Sequence, residues 1–86
     1  MRIIYSQKFA KEYGKMAIEL KLKAEQKEKI FRKNPFDARL HTHKLLGRLR
    51  DFWAFSIDHS NRIIFEFGEK DTVFFHSIGS QDIYRK

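Results

Sequence analysis

The sequence predicts an α+β fold: one strand and two helices, followed by an antiparallel meander. Two observations carry this. Residues 17–33 contain neither Gly nor Pro and repeat apolar residues at one-face helical spacing. Residues 44–84 hold three apolar runs separated by polar turns, with cationic residues before, between and after them. Eighty-six residues suffice for one domain, read here as 1–86. A core this small is stable only if its side chains are large, and nine Phe, three Tyr and one Trp supply them.

In chain order, Arg2 to Tyr5 is a short β-branched run, read as a strand over 2–5. Ser6 is a good N-cap, and Phe9, Tyr13 and Met16 recur at near-helical spacing, so a first helix is expected over about 7–14. Gly14 supplies its end signal. The second helix, 17–33, places Leu20, Ala24 and Phe31 on one face, with Ile30 beside them and Lys27 interrupting the stripe. Glu25 and Lys29 have the spacing of an exposed ion pair. Asn34-Pro35 stops the helix, because the residue before proline is pushed out of the helical region.

Residues 36–50 show little periodicity and are expected to be a mostly irregular connection anchored by Leu40, Leu45 and Leu46. Strands follow at 52–58, 62–67 and 72–78, joined by tight turns at 58–61 and 68–71. Alternation puts Trp53, Phe55 and Ile57 on one face, and likewise Ile63, Phe65 and Phe67. In the last strand it sets Val73 and Phe75 against Phe74, His76 and Ile78. A polar tail, 81–86, carries Tyr84.

The formal net charge of +7 points to an anionic partner such as nucleic acid or an acidic protein segment. No Cys is present, which excludes disulfides and thiolate metal sites and fits a cytoplasmic protein. No apolar run is long enough to span a bilayer, and no long apolar stretch follows Arg2, so neither a membrane span nor a secretory signal is expected.

The motifs narrow the chemistry further. His41-x-His43 has no third ligand at metal spacing, so no metal site and no cofactor is expected. There is no phosphate-binding glycine loop and no G-x-S-x-G elbow. Cations beside a sheet remain. RNA can be cleaved through its own 2′-hydroxyl by a base, a cation that stabilises the charge on the phosphoryl group and an acid for the leaving oxygen. Arginine suits the middle role, and His or Tyr the proton transfers. Arg62 opens a strand; His43, Lys44, Arg48 and Arg50 lie in or after the connection; Tyr84 and Arg85 lie in the tail.

NPF at 34–36, HKLLGRLRDFW at 43–53, NRIIFEF at 61–67 and SIGSQDIY at 77–84 resemble the RelE/ParE superfamily of type II toxin–antitoxin toxins. Within it, the chain looks most like the RelE and YafQ type. The resemblance runs along the whole chain and is most specific in its last forty residues. It implies a helical hairpin packed on a twisted antiparallel sheet of about four strands. It also implies an mRNA endoribonuclease acting in the ribosomal A site and neutralised by a cognate antitoxin, here expected to be acidic and partly helical.

By the same resemblance, Arg62 stabilises the transition state, His43 takes part in catalysis and Tyr84 contacts the substrate. Lys44, Arg48, Arg50 and Arg85 would hold RNA. Ala54 and Ser56 stand where RelE itself has lysines. Gln81, two residues after Gly79, stands where relatives carry His or Arg, and an amide transfers no proton near neutral pH. That leaves open a weak nuclease, a substitution that tames toxicity, or another group in the acid role. A ParE-like inhibitor of DNA gyrase and a plain ribosome- or RNA-binding module are the alternatives.

Overall fold

The computed structural model describes residues 1–80; Gln81, Tyr84 and Arg85 lie outside the described residues. Strand β1 (Arg2–Tyr5) leads into helices α1 (Gln7–Gly14) and α2 (Ile18–Lys33). Next come a 3-10 turn (Ala38–Leu40), strand β2 (His43–Lys44) and a second 3-10 turn (Gly47–Leu49). Strands β3 (Trp53–Ser56), β4 (Asn61–Phe67) and β5 (Thr72–Ser80) complete the described elements. The five strands form one sheet in the order β1-β5-β4-β3-β2.

The α+β class and both helices match expectation, and two features of the sheet differ. It has five strands rather than about four, because His43 and Lys44 pair with Ala54 and Trp53 inside the stretch expected to be irregular. A two-residue strand is too short to leave an alternation signal in the sequence. The sheet is also not wholly antiparallel: β1 runs parallel to β5, from Arg2 beside Thr72 to Tyr5 beside Phe75. Parallel neighbours need a long crossover, and the two helices are part of the chain that joins them.

Ser6 caps α1 as expected, accepting from the Phe9 N–H at 2.9 Å. Its hydroxyl donates in turn to the His76 carbonyl at 2.8 Å, tying the helix start to β5. Helix α2 presents Phe31, Ala24 and, less buried, Leu20 and Ile30 to the sheet. Phe31 is fully buried, its ring centroid 4.7 Å from Phe55 and 4.9 Å from Phe65. Glu25 accepts from the Tyr13 hydroxyl rather than pairing with Lys29.

A bulge corrects the expected facing of β5. Ile64 pairs with Ser77 and Phe65 with Phe75, so His76 is an extra residue between them. The bulge resets the alternation and returns Ile78 to the helix-side core with Val73 and Phe75, whereas simple alternation grouped it with Phe74 and His76. The other sheet face is partly covered, because residues 45–52 fold back and pack Leu45, Leu49 and Phe52 on Ala54 and Ile64. Leu46, expected to be an anchor, is instead exposed.

Candidate active site

Where β3 turns into β4, a polar cleft of about 550 Å³ opens at one end of the sheet. Its walls come from four separate parts of the chain: Lys27 from α2, Arg39 and His41 from the first 3-10 turn and its end, His43 from β2, and Ser56 to Arg62 from the β3–β4 hairpin. Antiparallel pairing sets Ser56 opposite Arg62, and Arg62 opposite Gly79. His43 pairs with Ala54, two residues before Ser56. Alternation therefore puts His43, Ser56 and Arg62 on the same sheet face. Strands β2 and β4 flank β3, which separates their backbones by roughly 10 Å.

Arg62 is held by its own turn. Its Nη1 donates to the carbonyls of Asp58 at 2.9 Å, Asn61 at 3.1 Å and His59 at 3.3 Å. Nε and Nη2 make no hydrogen bond among the described residues, so a planar pair of donors is left to meet an anion. The turn is itself tied down. Asp58 Oδ1 accepts from the Ser60 N–H, the Asn61 N–H and Asn61 Nδ2 at 2.9, 2.9 and 3.1 Å. Burial opposes charge on Asp58, but these bonds and Lys23 outweigh it and hold the carboxyl below the usual range.

His43 is oriented as well. Its Nδ1 lies 2.9 Å from the His41 carbonyl, which can only accept, so Nδ1 carries the proton and Nε2 is the basic nitrogen of the neutral ring. His41 reaches this position through a left-handed backbone, φ 52°, at the end of the 3-10 turn. Arg39 is clamped to Asp37 by two bonds, Nε to Oδ1 at 3.0 Å and Nη2 to Oδ2 at 2.9 Å. The Arg39 side chain, followed by its backbone N–H, brings the Asp37 carboxyl down to about 2.

The structure thus brings Arg62 and His43 into one cleft. It does not bring Lys44, Arg48 or Arg50 there. Lys44 is exposed beside Trp53 on the edge strand, and Arg48 and Arg50 are exposed on the segment that covers the opposite sheet face. Seven cleft residues were missed from the sequence as site residues: the cations and imidazoles Lys27, Arg39, His41 and His59, and Ser56, Ile57 and Asp58 of the hairpin. Lys27 did leave a signal, since it broke the apolar stripe of α2, and a cation on a buried face needs somewhere polar to go.

A second cleft, about 430 Å³, lies between the helices over Phe9, Ala24 and Ile63. Its polar rim is acidic: Glu25 and Glu28 accept from Tyr13 and Tyr5, and the Glu25 bond, then burial, pushes the Tyr13 hydroxyl up to about 12. That rim has the wrong sign for a phosphate. Among the described residues no three His, Asp or Glu side chains gather as a metal-binding group, and no helix is long and apolar enough to cross a membrane.

No family model and no curated protein matches the chain. Solved structures do. YafQ from E. coli superimposes with a TM-score of 0.81 at 20% identity, covering 100% of both chains. A YoeB/ParE toxin from Agrobacterium tumefaciens superimposes with a TM-score of 0.79 at 13% identity, covering 94% of this chain and 99% of that one. The E. coli DinJ–YafQ toxin–antitoxin complex matches with a TM-score of 0.70 at 18% identity, covering 98% and 96%. The described residues of this chain have the fold of these RelE-type toxins. At such identities the likeness concerns the fold, and chemistry must be argued from the cleft.

Proposed function

We propose that this chain is the toxin of a type II toxin–antitoxin pair and that it cleaves mRNA on the ribosome without calling on a metal ion. The observation that carries the reading is the cleft in which an oriented imidazole, His43, shares a wall-to-wall space with a turn-anchored guanidinium, Arg62. His43 Nε2 takes the proton of the 2′-hydroxyl. The 2′ oxygen attacks the adjacent phosphorus, Arg62 stabilises the charge that builds on the phosphoryl oxygens, and the bond to the 5′ oxygen breaks. The products are a 2′,3′-cyclic phosphate and, once the leaving oxygen has taken up a proton from an acid or from water, a 5′-hydroxyl. Lys27 and Arg39 add positive potential along the rim. Gln81 and Tyr84 are assigned to the substrate side of the site by resemblance alone.

The partner is an acidic, partly helical antitoxin, in keeping with a +7 chain and with the solved complex of a similarly folded toxin. Primer extension on an mRNA under translation tests the reading. Codon-linked cuts are expected, and Arg62→Ala should lower their rate by about 10²–10³-fold, as for loss of a transition-state charge partner. Absence of cuts together with inhibition of DNA supercoiling would move the assignment to the gyrase-inhibitor branch.

A further inference from the structure

We propose that His59 is the proton donor to the leaving 5′ oxygen; this rests on the nuclease reading above. In-line displacement puts the attacking and leaving oxygens on opposite sides of the phosphorus, so the base and the acid must stand on opposite walls. His43 is on the β2 wall. His41 stands two residues before His43 on the segment that leads into β2, so it comes to the cleft from the same part of the chain as the base. The remaining imidazole of the cleft among the described residues is His59, which enters it from the β3–β4 turn, a part of the chain separate from β2.

The backbone of that turn is tied down. Asp58 fixes the turn through three accepted hydrogen bonds, and Arg62 Nη1 bonds the backbone carbonyl of His59 itself. The guanidinium that would grip the phosphate and the imidazole that would protonate its leaving group therefore spring from one hydrogen-bonded turn. His59 is exposed at the cleft edge, where a leaving strand can reach it. As the bond from phosphorus to the 5′ oxygen breaks, the imidazolium N–H proton passes to that oxygen. The ring is left neutral and the RNA leaves as a 5′-hydroxyl. An amide such as Gln81 has no such proton to give.

The experiment uses ribosomes programmed with a short mRNA whose scissile linkage carries either oxygen or sulfur at the 5′ bridging position. A thiolate leaves without protonation, so a missing acid matters only for oxygen. His59→Gln is expected to slow cleavage of the oxygen linkage by about 10²–10⁴-fold and to cut the sulfur linkage within a few-fold of the parent. His43→Gln should lose both, because the base is needed for either leaving group. Equal slowing of both linkages by His59→Gln would overturn the proposal by showing a merely structural role, and so would an undiminished rate on oxygen. Cutting by the parent with no dependence on His59 defeats this inference alone. A parent that cuts neither linkage defeats the nuclease reading with it.

Discussion

Arg62 and Asp58 show how one short turn does the work of a larger scaffold. The Asp58 carboxylate gathers the turn amides, and the carbonyls facing the other way anchor the Arg62 guanidinium. The Asp58 carboxyl is held below its ordinary value, so the stability it confers is present above the unfolded-state value of about 3.9 and is lost as pH falls through the folded one. Asp58→Asn keeps an acceptor but removes the titration. The variant is expected to be less stable than the parent near pH 7, and the gap should close as pH falls from about 5 to about 2. Urea denaturation of both proteins across that range measures it, and a gap that stays constant with pH would refute the account.

At the scale of elements, the decisive joints are the start of α1 and the bulge in β5. Ser6 both caps the helix and donates to the carbonyl of the bulged residue, His76, so one hydroxyl aligns helix and sheet. Glu12, one turn beyond Phe9, accepts from the Ser77 hydroxyl at 2.8 Å and the Ile78 N–H at 3.1 Å, satisfying backbone that the bulge displaces. Ser6→Ala should cost about 1–2 kcal/mol, the usual range for losing a side-chain cap, read as a lower urea midpoint with unchanged slope. A cost near zero would mean that water replaces both bonds. Helix α2 has a double duty: Phe31 and Ala24 face the core, while Lys27, which interrupts that stripe, lines the cleft.

For the whole molecule, the rings of Phe31, Phe55, Phe65 and Phe75 form one cluster between the helices and the sheet, with centroid separations of 4.7–5.8 Å along most of its contacts. Phe31→Ala removes its centre and is expected to cost about 3–5 kcal/mol. That is a large share of the ~5–15 kcal/mol available to a domain. Thermal and denaturant unfolding should show a protein near its folding limit, and a cost below 1 kcal/mol would mean that the core collapses to fill the space. Much of this architecture was legible in the chain. The Ser6 cap, the Asn34-Pro35 stop, the alternation of β3 and β4 and the charge of +7 are local or summed properties, and spacing alone reveals them. Residue chemistry alone set Arg62 and His43 level with Lys44, Arg48, Arg50, Tyr84 and Arg85, and only the resemblance of their flanking motifs singled these two out. The sequence by itself determined the α+β class, both helices, the three long strands and the basic balance, since each depends on neighbours within a few residues. Tertiary structure alone decided that β1 lies parallel to β5, that His76 is bulged and Ile78 turned inward, and that Lys27, Arg39, His41 and His59 surround the cleft shared by His43 and Arg62. Those facts depend on strand register and on contacts between residues far apart in the chain, which local spacing does not encode.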